Sequence, residues 1–253
     1  MSAVRRTSRS NRSRRSFLKL SASAIAFGPL LMQQSLSAFA QAKPAASPMK
    51  IGIVGSGKLG GTVGSLWVKA GHEVMFSSRH PEQLKAMAAK LGPRARVGTV
   101  QEAIAFGEVL LLAVPYSALP DIGRDNAKAL AGKIIVDASN PIAGRDGQVA
   151  QEAMANGIGA TSLKYLPGTR YVRTFNSVGT GSLQNETNRP GTPVGMPLAG
   201  DDAQAVKLAS QLVRDAGFEP VVVPLARAMD FAPGTALFGR AMPVDELRKT
   251  LNK

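Results

Sequence analysis

Lys50-Ile51-Gly52-Ile53-Val54-Gly55-Ser56-Gly57-Lys58-Leu59-Gly60 (KIGIVGSGKLG) decides the fold. A short apolar strand closes on a glycine. From Lys58 to Ala70 the apolar residues Leu59, Val63, Leu66, Trp67 and Ala70 then recur at helical spacing, and the run stops at Gly71. G-x-G-x-x-G between a strand and a helix has a mechanical reading. Gly55 permits the tight turn, Gly57 lets the backbone approach a pyrophosphate, and Gly60 brings the helix close to the strand. The free N–H groups at the helix start, with its dipole, hold the anion.

The same alternation runs outward from this unit. Strands are expected at Glu73 to Ser77, near Val97, at Glu108 to Val114 and at Lys133 to Asp137. Helices are expected at Pro81 to Leu91, after the capping box Thr99-Val100-Gln101-Glu102, at Ser117 to Leu130 and at Gln148 to Asn156. Further strands are expected at Tyr171 to Phe175, Val194 to Ala199 and Glu219 to Val223, with helices at Asp201 to Ala216 and Val244 to Leu251. The pattern predicts an α/β fold: a doubly wound parallel sheet, as a Rossmann-type NAD(P)-binding domain over residues 50–253 with a short C-terminal extension.

What precedes residue 50 reads as an address. Ser13-Arg14-Arg15-Ser16-Phe17-Leu18-Lys19 has the form of a twin-arginine export signal, followed by a modest apolar stretch and the small-residue cleavage site Ala38-Phe39-Ala40. Residues 1–40 are therefore expected to be a signal peptide and 41–49 a linker. The apolar stretch is interrupted by Ser21, Ser23, Gly28 and Pro29 and is too short for a stable membrane span. The expectation is a periplasmic protein, carried folded by the twin-arginine translocon with its nucleotide already loaded. Eight of the basic residues lie before residue 49 with no acid among them, so the net charge of +14 falls to +6 for the remainder. No basic stripe interleaved with aromatics occurs there, which argues against nucleic acid as a partner. The absence of cysteine excludes disulfides, thiolate catalysis and thiolate metal sites, and no metal site is expected.

The second strand ends Ser77-Ser78-Arg79-His80, where an NAD-binding domain carries an acid for the ribose 2′-hydroxyl. Hydroxyls followed by a guanidinium suit a 2′-phosphate, so the expected cofactor is NADP(H). His80 is either beside the adenine or phosphate or a surface turn residue, and His72 is expected to be structural. Ala113-Val114-Pro115-Tyr116 and Asp137-Ala138-Ser139-Asn140-Pro141 close the fourth and fifth strands. Ligands of doubly wound sheets lie outside such carboxyl ends, so both turns should border the ribose and nicotinamide.

Taken together, IGIVGSGKLGG (Ile51–Gly61), SSR (Ser77–Arg79), AVPY (Ala113–Tyr116), DASNP (Asp137–Pro141) and VRTFNSV (Val172–Val178) resemble the NADP oxidoreductases dependent on the deazaflavin coenzyme F-420, a family related to the reductase domains of membrane ferric reductases. The resemblance implies cofactor contacts at Gly55, Ser56, Gly57, Lys58, Leu59, Gly60, Ser78, Arg79, Ala113, Val114 and Asn140, to which the turn readings add Ser77, Pro115 and Pro141. It places Phe175 and Asn176 beside the second substrate. Two departures stand out: the export signal, and Gln83 where such proteins carry a basic residue four positions past the arginine.

The reaction implied is hydride transfer between NADPH and a flavin or deazaflavin, a small-molecule electron acceptor. Cofactor chemistry of this kind asks the protein for proximity and orientation, so no catalytic residue is named. Two alternatives stand beside it: a reductase of imines or β-hydroxy acids, and a non-catalytic NADP(H)-binding module. The segment after Phe231 (FAPGTALFGRAMP) would distinguish them if it folded over the nicotinamide. A homodimer is left open. Replacing Arg14 and Arg15 with Lys is expected to leave precursor in the cytoplasm. Cell fractionation checks this, and an unchanged periplasmic yield would refute the export reading.

Overall fold

The computed structural model describes residues 47–252; the expected signal peptide and most of the linker lie outside the described residues. Eight strands form one sheet: β1 (Lys50–Val54), β2 (Glu73–Ser77), β3 (Ala95–Gly98), β4 (Val109–Leu112), β5 (Ile134–Asp137), β6 (Arg170–Arg173), β7 (Gly195–Gly200) and β8 (Glu219–Val223). Their order is β3-β2-β1-β4-β5-β6-β7-β8. Ten helices accompany them: α1 (Lys58–Lys69), α2 (Lys85–Leu91), α3 (Val100–Phe106), α4 (Leu119–Asp125), α5 (Ala127–Leu130), α6 (Ala143–Asn156), α7 (Ile158–Tyr165), α8 (Thr180–Asn185), α9 (Ala203–Asp215) and α10 (Val244–Leu251).

The central strands β1, β4 and β5 are mostly apolar and buried because both faces of the sheet are covered there. In β4, Val109 and Leu111 enter a core shared with α1 and α9, while Leu110 and Leu112 enter a second core with Leu119, Ile158 and Phe231. Trp67 is the largest fully buried side chain. Its Nε1–H donates to the Leu212 carbonyl at 2.8 Å, tying α1 to α9. His72 is the structural residue expected. Its Nδ1 accepts the Met49 N–H, so the ring proton sits on Nε2, 3.1 Å from Asp215 Oδ2. The Thr99–Glu102 capping box forms as read, with reciprocal bonds at 3.2 and 2.7 Å.

Several expectations need correction. Strands β1 to β6 are parallel, but β7 runs antiparallel to β6, and β8 runs parallel to β7. An antiparallel neighbour needs no crossover helix packed across the sheet. The chain from 174 to 194 accordingly carries only the short α8 before it returns. The helix expected at Ser117 to Leu130 breaks at Asn126, which leaves helical geometry with φ −122° and ψ 16°. The α6 helix starts earlier than expected and kinks at Gly147, with φ 53° and ψ −130°. Helices α7 and α8 and the helical turn Leu225–Phe231 were not foreseen. Their apolar positions are too few per turn to establish a period on their own.

Strand order reverses between β1 and β4, so the crevice for a ligand opens outside the carboxyl ends of those two strands. Trp67→Ala removes the side chain that joins α1, α9 and Phe175. It is expected to cost about 3–5 kcal/mol of stability, read as a lower urea midpoint at unchanged slope.

Candidate functional site: a dinucleotide cleft

The glycine turn is built by steric demand. Gly55 has φ +94°, and a side chain there would collide with the Ala113 carbonyl and Val114. The first turn of α1 packs so closely that a Cβ on Gly60 would lie 2.2 Å from the Gly55 carbonyl oxygen. At Gly57 the reverse holds: φ is −72°, and an added Cβ would meet no protein atom within 4 Å. The first and third glycines of the motif are thus set by the protein, whereas the second leaves its space to a ligand.

The end of β2 clamps the turn. The Ser77 carbonyl accepts the N–H groups of Gly55 and Ser56 at 3.2 and 2.8 Å. The Ser77 hydroxyl is fully buried and donates to the Ile53 carbonyl at 2.6 Å. This corrects the expectation for Ser77: its side chain joins β2 to β1 and does not face the cleft. Ser78 and Arg79 are the residues that do.

One cleft of about 730 Å³ collects Gly55, Ser56, Gly57, Ser78, Arg79, Ala113, Val114 and Pro115. That volume lies within the range of ordinary small-molecule sites. The Ser56 hydroxyl is buried in it without a hydrogen-bond partner, and Arg79 is exposed. An unpaired hydroxyl, an open glycine and a free helix start beside a guanidinium form a donor set suited to phosphates. These residues fit NADP(H). Lys58 lines a neighbouring groove with Gly57. Leu59 packs against the core and Gly60 against the turn, so those two offer the cleft backbone N–H groups at most. His80 is a surface residue whose N–H donates to Ser78 Oγ at 3.0 Å and whose ring pairs with Glu82.

The structure adds lining residues that had not been read from sequence: Val100, Gln101, Ser117, Ala118, Asp121, Ile122, Asp125 and Asn126. Val100 and Gln101 open α3, Ser117 and Ala118 lie in the helical turn before α4, and the other four run along α4 to its C-cap, segments that motif reading treats as capping and linking. Asp121 and Asp125 bring two carboxylates to the lining. Both are largely exposed and paired with Arg124 at 2.8 and 2.9 Å, the arrangement of solvated surface acids.

The turns after β5 and β6 form a separate, mostly buried network. Asp137 and Arg173 are both fully buried and stand opposite each other in the β5–β6 register. Asp137 Oδ2 accepts from Tyr171 OH and, at 3.3 Å, from Arg173 Nη1; its Oδ1 accepts the Ser139 N–H and hydroxyl. Burial, reinforced by the Asp137 charge, pushes the Tyr171 hydroxyl well above the phenolic range, so it remains a neutral donor. Arg173 also donates to the Ser139 carbonyl and to Asn140 Oδ1. Asn140 Nδ2 donates to the Asn176 carbonyl at 2.8 Å, and Asn176 Nδ2 donates to the Phe231 carbonyl at 3.1 Å. Nearby, Asp146 accepts from Ser117, the Ile142 N–H and Arg145. Burial raises its carboxyl, but these bonds outweigh burial and hold it below the ordinary carboxylate range.

Asn140 is partly exposed and sits in this network, Pro141 beside it is buried, and neither is in the lining of the cleft. Phe175 is a further correction. Its ring is buried edge-on against Trp67, with centroids 5.7 Å apart, so it is a core side chain and not a wall for a second substrate. Its φ of +61°, rare for a bulky residue, turns the chain so that Asn176 points back to Asn140. The segment after Phe231 folds against the same turn: the Gly239 N–H donates to the Ser177 carbonyl at 2.7 Å, and Phe231, Ala232, Leu237 and Met242 are buried.

With this geometry in place, comparison with known proteins is direct. Residues 50–141 match the family described as NADP oxidoreductase, coenzyme F420-dependent. The match covers the glycine turn, Ser78 and Arg79, and the turns after β4 and β5. The chain is also similar to Metalloreductase STEAP3 of Rattus norvegicus, with 31% identity over 178 residues, covering 68% of this chain and 33% of that protein. It thus spans about a third of the length of this relative. Among solved structures, the protein SMa0349 of Sinorhizobium meliloti aligns with a TM-score of 0.65 at 23% identity, covering 77% of this chain and 95% of that one. A protein of Arthrobacter sp. FB24, provisionally assigned as an F420-dependent NADP-reductase, aligns with a TM-score of 0.58 at 21% identity over 77% and 99% of the two chains. An imine reductase of Myxococcus stipitatus in complex with NADP+ gives 0.52 at 16% identity over 71% and 57%. These likenesses establish the fold. Among the described residues no helix is long and apolar enough to cross a membrane.

Two substitutions separate phosphate recognition from folding. Gly57→Ala is expected to leave the thermal midpoint unchanged and to weaken NADP(H) at least tenfold, because the added methyl occupies ligand space only. Arg79→Ala is expected to weaken NADP(H) at least tenfold and NAD(H) by less than twofold. Calorimetry with both nucleotides checks this; equal losses would remove Arg79 from the 2′-phosphate.

Proposed function

We propose that this chain is an exported oxidoreductase that transfers hydride between NADPH and a flavin or deazaflavin ring. The observation that carries the reading is the single cleft in which the glycine turn meets Ser78 and Arg79, with no carboxylate at the end of β2. The family match over residues 50–141 supports it, as do the buried apolar side chains of Phe231, Ala232, Leu237 and Met242 in the segment beside the turn after β6. Bound NADPH would supply the hydride from its reduced nicotinamide. The protein's part is to fix the distance and angle to an acceptor ring, which needs no titrating side chain. The electron acceptor is a small molecule, and the twin-arginine motif at Arg14-Arg15 supports export of the folded, loaded protein to the periplasm.

Stopped-flow oxidation of NADPH with deazaflavin, FMN and ferric complexes tests the activity. Deazaflavin or FMN is expected to oxidise NADPH directly, and ferric complexes only when a flavin is present. Ala113→Leu, which intrudes where the nucleotide crosses β4, is expected to cut turnover at least a hundredfold, and His80→Ala less than twofold. If no acceptor oxidises NADPH while the nucleotide binds tightly, the chain is a non-catalytic NADP(H)-binding module.

A further inference from the structure

A second groove runs along α1 beside the dinucleotide cleft and shares a single lining residue, Gly57, with it. Its volume is about 470 Å³, within the range of small-molecule sites. Its floor is one stripe of α1. Lys58, Thr62, Ser65 and Lys69 recur at i, i+4, i+7 and i+11, which brings all four to the same side of the helix. Met87 and Leu91 of α2 form an apolar wall. Gln184 of α8 stands on the other side, its Nε2–H donating to Thr62 Oγ1 at 3.3 Å. Gly61 keeps the floor low where α2 comes near, since an added Cβ would lie 3.4 Å from Met87 Sδ.

The charge in this groove is one-sided. No carboxylate lines it. Lys58 and Lys69 are exposed, and neither side chain has a hydrogen bond or ion pair among the described residues. Arg96, Arg170 and Arg189, by contrast, each face an acid. Lys69, in the last turn, suits the helix dipole. Lys58 does not: it holds the first helical position, where the dipole favours an anion, and the first turn carries no acid. A bound negative group there would answer both the ammonium and the dipole. The two lysines stand eleven residues apart on one helix, about 16 Å between their Cα atoms. One lysine at each end matches a carboxylate, whereas a phosphate dianion calls for more donors than the Lys69 end holds.

We propose that this groove is a second ligand site, separate from the nucleotide cleft, for a slender small molecule with a carboxylate at each end. One carboxylate pairs with Lys58 and the other with Lys69, while the apolar spine between them lies along Met87 and Leu91. The site stands on its own geometry and does not depend on the NADP(H) reading.

Calorimetry at low ionic strength with straight-chain acids tests this. Sebacate and dodecanedioate are expected to bind. Succinate, too short to span, and decanoate, with one charge, should each bind about fivefold more weakly, because they engage one lysine. Lys69→Gln should lower sebacate affinity to the level of decanoate and leave NADP+ affinity within twofold. Ser65→Trp, which fills the middle of the floor with both lysines in place, should abolish sebacate binding and again spare NADP+. Saturating NADP+ should leave sebacate bound. Decanoate binding as tightly as sebacate, undiminished sebacate binding in either variant, displacement of sebacate by NADP+, or no binding of either long diacid at millimolar concentration would each overturn the proposal. Wild-type protein that binds sebacate but not NADP+ would keep this site and overturn the nucleotide reading instead.

Discussion

Asp137 and Arg173 are two opposite charges sealed from water at the carboxyl ends of adjacent parallel strands. Taking each out of solvent costs several kcal/mol, and their attraction offsets this only where other hydrogen bonds satisfy the remaining atoms. Tyr171, both donors of Ser139, the Ser139 carbonyl and Asn140 supply these bonds here, with Arg173 Nε alone of the pair's charged-group atoms left buried without a partner. The pair therefore constrains everything around it. A one-residue slip of β6 would turn Arg173 to the face of Val172, into an apolar core. Keeping the pair keeps the β5–β6 register, and the register fixes the two turns from which Ser139, Asn140 and Asn176 emerge. Removing either partner would leave an uncompensated buried charge, a loss of about 3–5 kcal/mol.

The other end of the cleft follows a different logic. There the constraint is close packing of backbone on backbone: Gly60 against Gly55, and Gly55 against Ala113. Ser77 joins both strands to that turn through its carbonyl and its buried hydroxyl. A phosphate site made of main-chain donors is rigid because each strand end that shapes it is itself hydrogen-bonded. The glycine turn and the Asp137–Arg173 network are joined through β4, whose residues pair with β1 on one side and β5 on the other.

Phe175 shows how the two cores and the site share one strain. A bulky residue at φ +61° costs on the order of 1–3 kcal/mol. Burial of its ring against Trp67 offsets that cost, and the turn it makes sends Asn176 to Asn140 and Phe231. Phe175, next to the Asn140–Asn176 contact, is thus held in position by the core in which its own ring is buried.

The sequence by itself determined the βα alternation, the glycine turn and the choice of Ser78 and Arg79 over an acid. Each of these depends on neighbours within one strand, turn or helix, where spacing alone carries the physics. It also separated His72 from the site, and it set Thr99 and Glu102 as a cap. Only the tertiary structure decided that Ser77 faces inward, that Phe175 belongs to the core, and that Asp121 and Asp125 line the cleft. It alone reversed β7 against β6 and folded the segment after Phe231 onto Ser177. Asp137 and Arg173 are separated by 35 intervening residues, and each in isolation reads as a polar residue closing an apolar strand. Their partnership arises from strand pairing, a long-range contact that no local period encodes.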